Sequence, residues 1–230
     1  VACQLLLIST QCGGVVGFSS DLTDAILPLS GAAICGWLLL QPITGSIADI
    51  AASIFGLFYL GFLPSHWLKL RNLVDVDFLP GFEVVHDFWQ LSINSGMVIT
   101  LVACLMIVAS DIGSFAFGRR FGRRQLSTIS PGKTIEGAIG GFICSMLIGS
   151  ISGVLFGWNL GLIIGGLLGA LVAFFALVGD LTESMLKRNA GLKDSGDALP
   201  GHGGILDRID SYLFTPAVVY YSVILILPLI

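Results

Sequence analysis

The sequence predicts an all-α fold: a polytopic integral membrane helical bundle with about six to seven transmembrane helices. Three observations predict it. Hydrophobic residues make up 55% of the 230 and charged residues only 11%, with a mean hydropathy of +0.92; a soluble domain carries about 25% charge. Apolar stretches close to the ~20 residues that a spanning helix needs recur along the chain. Between Glu136 and Asp180 there is no charge at all over 43 residues.

Residues 1–18 are a candidate first span. The chain opens on Val1 inside apolar sequence, as a fragment or processed form would, with any targeting peptide out of view. Residues 25–40, interrupted by Pro28, and 43–63 give two more spans, and 97–117 a third. The uncharged run is too long for one pass. Gly157-Trp158-Asn159 supplies a turn and an interfacial aromatic in its middle, so 135–156 and 160–181 read as an antiparallel pair. Gly161, Gly165, Gly166 and Gly169 form a small-residue stripe suited to close helix packing. Residues 212–230 are the last span. Two regions follow: 1–93, N-terminal helices and a connecting loop, and 94–230, a transmembrane region carrying a charged loop at 184–210.

Placement of charge gives the topology. The paired helices return the chain to the face it left, so loops 118–133 and 184–210 share one side. Nine of the 11 Lys and Arg residues lie there, which the positive-inside rule assigns to the cytoplasm or its organellar equivalent. The loop 64–94 reads as the opposite face. No basic run with interleaved aromatics supports nucleic-acid binding. The five cysteines are scattered singly, so neither disulfides nor a zinc site is expected.

Three polar sites converge on the basic face. Ser110-Asp111 interrupts an apolar run, and an ionisable group at that depth is a functional candidate. Ser130-Pro131-Gly132-Lys133-Thr134 precedes a helix, with Ser130 read as N-cap and Pro131 as first helical residue. A helix start with Lys133 beside it suits a phosphate. Gly-Lys-Thr there is no Walker loop, because Ser127 stands where the first glycine is required. The third site begins at Gly179-Asp180, and its stretch 184–210 alone holds four basic residues, four aspartates, His202 and five glycines. Carboxylates from separated segments, here Asp180, Asp207 and Asp210, suit Mg²⁺, which shares oxygen ligands with substrate phosphates. Lys187, Arg188, Lys193 and Arg208 would neutralise further negative charge. The competing reading is a solvated loop whose charges pair among themselves. No nucleophile accompanies His202, which reads as a phosphate contact or turn residue.

The pattern S-x-L-K-R-x4-K-D-x-G-x2-L-P-x-H-G-G-I-x-D-R-I-D over 184–210 resembles the signature of CDP-diacylglycerol synthases (phosphatidate cytidylyltransferases). Ser110-Asp111 with Phe115, Gly118 and Arg119, the Ser130–Gly137 block, and Gly179-Asp180 match as well. The resemblance covers about 95–216, and 46–71 looks like the cyanobacterial and plastid branch. Gly132 and Ile135 depart from the Lys and Trp that many members carry, which rests phosphate contact there on Lys133.

The resemblance implies that CTP and phosphatidic acid give CDP-diacylglycerol and pyrophosphate with Mg²⁺, and a second cation such as K⁺ is a further candidate. It puts Asp207 and Asp180 on the metal, with Asp210 as a third candidate. Lys187 and Arg208 join the two aspartates as catalytic residues. It implies substrate contacts at Asp111, Ser130, Lys133, Thr134, Ser184, Arg188, Lys193, Asp194, His202, Gly203 and Gly204. The implied partners are the bilayer and a second copy of the chain, in a plastid membrane for a photosynthetic eukaryote and otherwise in a bacterial plasma membrane. The alternatives are a CTP-dependent lipid kinase of the polyprenol type and a transporter with intramembrane carboxylates at Asp49, Asp111 and Asp180. No internal repeat supports the transporter.

Overall fold

A computed structural model describes residues 20–41, 45–73, 95–197 and 203–225. Among them the fold is helical, with no strand beyond an isolated Gln125–Thr134 bridge. The helices are α1 (Ser20–Leu39), α2 (Ile47–Leu57), α3 (Leu63–Arg71), α4 (Ser95–Phe121), α5 (Ile135–Leu155), α6 (Gly161–Asn189), the one-turn α7 (Leu206–Ile209) and α8 (Ser211–Leu225). Among the described residues four units are long and apolar enough to cross a membrane: Ile47–Arg71, α4, α5 and α6. The expected spans at 25–40 and 212–230 are helical where described, as α1 and α8. The candidate span at 1–18 lies outside the described residues.

Helix α2 starts on a capping box, in which the Ser46 hydroxyl accepts from the Asp49 N–H and Asp49 accepts from the Ser46 N–H. It continues through a π-turn at Phe58–Phe62 into α3, where the Leu63 N–H donates to the Phe58 carbonyl five residues back. The loop expected from Pro64 onward is corrected here, since helix runs on to Arg71. Pro64 falls in the first turn after the π-turn, where its missing N–H is tolerated. Residues 74–94 of that expected loop lie outside the described residues.

The start of α5 is also corrected. Ser130-Pro131-Gly132-Lys133 forms a turn, closed by the Lys133 N–H on the Ser130 carbonyl at 3.1 Å. Thr134 is the N-cap, with extended backbone and a hydroxyl that accepts from the Gly137 N–H at 3.1 Å. The hydroxyl sits one turn nearer the apolar run than Ser130, and a cap bond must reach the second or third helical N–H. Helix α6 in turn outruns its expected end and carries Ser184–Asn189 as its last turns. It stops at Gly191 (φ 69°), with the Gly191 N–H on the Arg188 carbonyl and the Leu192 N–H on that of Lys187. This is a Schellman ending, which needs a left-handed residue at that position.

Helices α5 and α6 form the expected antiparallel hairpin. In lipid there is little hydrophobic drive between helices, so close packing must supply the association. A side chain at Gly149 would strike the Gly165 backbone, and one at Gly153 would strike Gly161. Ser145 Oγ crosses to the Gly169 carbonyl at 2.8 Å. Gly140 and Gly141 let α4 approach in the same way, against Phe117 and Ser114. Leu70, Ile99, Met106, Ile107, Val172, Val219 and Val223 then form a buried core joining α3, α4, α6 and α8. The Trp67 indole N–H donates to the Tyr212 carbonyl at 3.0 Å, fastening α3 to α8.

Gly165→Leu should therefore force α5 and α6 apart. The expected loss is on the order of 1–3 kcal/mol, read as a lower midpoint of thermal unfolding in detergent. Gly36→Ala, where an added Cβ meets nothing within 4 Å, should leave that midpoint unchanged.

Candidate active site

On a helix, residues three and four apart share a face. Asp180, Glu183 and Lys187 follow that spacing at the end of α6. The approach of the neighbouring chain is set by Gly179, where any side chain would meet the Asp210 carbonyl. The α7–α8 junction consequently lies against α6 and brings Asp210 to Asp180. One carboxylate oxygen each from Asp180, Glu183 and Asp210 lie within 4.8 Å of one another.

Glu183 is 1% exposed. Its Oε2 is 2.6 Å from Lys187 Nζ, whereas its Oε1 is buried with no hydrogen-bond partner. A buried carboxylate oxygen without a donor is costly. Three carboxylates so placed, one of them carrying an unpartnered buried oxygen, form a donor set that fits a hard divalent cation. Burial and the charge of Asp180 push the Asp210 carboxyl up to about 7, against the Ser211 N–H that favours its anion.

Asp207 sits on the other side of Lys187. Its Oδ1 is 2.6 Å from Lys187 Nζ, and its Oδ2 accepts from the Ser195 N–H (2.9 Å), the Ser195 hydroxyl (2.8 Å) and the Gly204 N–H (2.7 Å). Burial opposes ionisation, but Lys187 and these donors outweigh it and hold the carboxyl below the usual range. Gly203 (φ 79°) makes the left-handed turn that aims the Gly204 N–H at this carboxylate.

A cavity of ≈ 510 Å³ joins all three polar sites. Asp111 enters from α4, Lys133 and Thr134 from the start of α5, Asp180 from α6, and Asp207 and Asp210 from the α7 region. Lys133 is ion-paired with Asp180 across it. Ser211 Oγ reaches Asp111 Oδ1 at 3.5 Å. The lining holds four carboxylates against two cationic side chains, Lys133 and Arg119.

The remaining expected residues that the structure describes are not part of the cavity wall. Ser130 contributes its carbonyl to the turn before α5. Ser184, Arg188 and Lys187 ride the last turns of α6, and the Arg188 guanidinium reaches the Leu192 carbonyl at 3.4 Å. Lys193, Asp194 and Arg208 are exposed, Gly203 is half-buried and Gly204 is buried. His202 lies outside the described residues. Three participants carried no assignment from sequence. The spacing of Glu183 between Asp180 and Lys187 was a usable signal. Ser195 and Tyr59 gave none; the buried Tyr59 hydroxyl meets the Gly179 carbonyl at 3.5 Å across 120 residues of chain.

A sequence model described as the cytidylyltransferase family matches residues 5–226. This chain belongs to that family. It is 48% identical over 217 residues to the phosphatidate cytidylyltransferase of Synechocystis sp., an alignment covering 91% of this chain and 74% of that cytidylyltransferase. It is 37% identical to phosphatidate cytidylyltransferase 4, chloroplastic, of Arabidopsis thaliana, over 96% of this chain but 56% of that protein. The phosphatidate cytidylyltransferase of Staphylococcus haemolyticus is 44% identical over 122 residues, 53% of this chain and 47% of its own length. The chain thus spans between about half and three quarters of these cytidylyltransferases.

Lys187→Met would leave Glu183 and Asp207 facing each other uncompensated. The expected cost is about 3 kcal/mol, with an inverted response to acid. The native protein loses the Asp207 contribution as pH falls below the ordinary carboxylate value of about 4, while the variant gains stability over that range. Unfolding midpoints measured between pH 5 and 3 check the sign.

Proposed function

We propose that this chain transfers the CMP unit of CTP to phosphatidic acid, giving CDP-diacylglycerol and pyrophosphate. The observation that carries the reading is the cavity itself, where Asp111, Asp180, Asp207 and Asp210 face Lys133 and the N-terminus of a 21-residue helix, with buried Glu183 grouped with Asp180 and Asp210. Family membership, and relatives that bear the name phosphatidate cytidylyltransferase, support it.

The chemistry needs positioning more than acid–base work. A phosphate oxygen of the lipid attacks the α-phosphorus of CTP, a new P–O bond forms, and the bond to the β-phosphate breaks to release pyrophosphate. The attacking phosphate is already anionic, so no strong base is required. The obstacle is repulsion between two polyanions. When bound, Mg²⁺ at Asp180, Glu183 and Asp210 would neutralise phosphate charge and polarise the reacting phosphorus. Asp207 is a further candidate ligand for it or for a second cation such as K⁺.

Lys133 releases Asp180 to take a phosphate oxygen, and the N–H groups at the start of α5 hold another. Ser130, Thr134 and Asp111 border that phosphate. Lys187 keeps Asp207 anionic and fixed, and Ser184, Arg188, Lys193, Asp194, His202, Gly203, Gly204 and Arg208 surround the nucleotide. Catalysis belongs to 94–230, with 1–93 buttressing it through Tyr59 and Trp67. The chain acts as a homodimer, in a plastid membrane for a photosynthetic eukaryote and otherwise in a bacterial plasma membrane; the chloroplastic and bacterial relatives support the membrane assignment alone.

Supplied with phosphatidic acid and Mg²⁺, the purified chain should leave label from the α-phosphate of CTP on the lipid and release unlabelled pyrophosphate. Transfer of the terminal phosphate alone would indicate a kinase, and no transfer would remove the enzymatic reading. Asp207→Asn should abolish this turnover while the protein still folds.

Lys133→Ala should raise KM for at least one substrate by about ten-fold, the worth of one charge-assisted phosphate contact. Unchanged KM for both would take Lys133 out of the site.

A further inference from the structure

We propose that Arg120, Arg123 and Arg124 form a collecting surface for anionic lipid headgroups beside the cavity mouth. The inference rests on the reading that the lipid substrate carries a phosphate monoester. Between Asp111 and Glu136 the sequence holds four arginines, one lysine and no acid. The structure divides these five. Arg119 and Lys133 line the cavity, whereas Arg120, Arg123 and Arg124 are exposed outside it.

Glu136, the first acid after this run, does not quench the patch. Its Oε2 accepts from the backbone N–H groups of Arg123 (3.0 Å) and Arg124 (3.3 Å). The carboxylate is thus engaged chiefly by the backbone of the hairpin after α4, with a weaker attraction to the Arg124 charge, and all three arginines stay exposed. Among the described residues none of the three makes an ion pair with a carboxylate.

The surroundings identify the partner. Phe121 is 54% exposed with the Arg120 guanidinium 5.8 Å from its ring centre, and Phe115, on the cavity wall, is 68% exposed. Arginines beside exposed aromatics at the end of a spanning helix sit at headgroup depth. A guanidinium matches a phosphate in two parallel hydrogen bonds. Arg119 and Leu126, which flank these arginines in the chain, line the cavity, so a lipid held on the patch is delivered beside the site. Free CTP comes from water and has no need of a surface at headgroup depth. Each basic residue near a membrane surface is worth roughly a five-fold enrichment of anionic lipid.

The test uses the whole chain and the variant R120Q/R123Q/R124Q, reconstituted in phosphatidylcholine bilayers. Spin-labelled phosphatidic acid should associate with the native protein several-fold more than spin-labelled phosphatidylcholine, and the variant should lose most of that preference. In turnover, KM for bilayer-embedded phosphatidic acid should rise about ten-fold, while KM for CTP and for a short-chain phosphatidic acid dissolved as monomers stays unchanged. Unaltered lipid preference would overturn the proposal. So would a raised KM for CTP or for the monomeric lipid, since the arginines would then act within the site. If neither protein turns over, the proposed reaction falls, and the spin-label comparison still decides the surface.

Discussion

Close approach of backbones at glycine is the constraint on which this structure depends. Helices in lipid gain little from burying apolar surface against one another, and contact must come from shape. At Gly149–Gly165 and Gly153–Gly161 two helices meet with no side chain between them. The same device recurs at Gly179, but there it serves chemistry. Removing one side chain from α6 lets the Asp210 backbone settle against it, and this proximity assembles three carboxylates.

That assembly is unfavourable by itself. Acidic groups at such spacing repel, and burial adds to the cost. Lys187 and Lys133 offset part of it, one from the same helix and the other from the loop before α5. Neither reaches the orphaned Glu183 Oε1. The site is thus held together around an electrostatic deficit that positive charge from outside the chain would relieve.

Much of this was legible in the sequence, for reasons that differ by element. The helices announced themselves through apolar runs, and the α5–α6 hairpin through an uncharged stretch too long for one pass. The convergence of Asp111, Lys133 and Asp180 followed from topology alone. Local rules failed where two signals competed. Ser130-Pro131 and Thr134 both carry the marks of a helix start, and the deciding factor was the distance to the first apolar turn. Pro64 signalled a break that a π-turn absorbed. Contacts between distant segments, such as Tyr59 with Gly179 or Ser195 with Asp207, left no periodic trace. The donors gathered on Asp207 come from turns whose shape depends on the fold around them.

The cavity has one wall at Phe115, which faces outward from α4, and another at the charged turn before α5. It straddles two solvents. Under the proposed reaction, the lipid product returns to a two-dimensional fluid and pyrophosphate to a three-dimensional one. The substrates arrive by the same two routes, the lipid by lateral diffusion and the nucleotide through water. Placement at this boundary therefore sets the paths of arrival and departure and leaves the equilibrium unchanged.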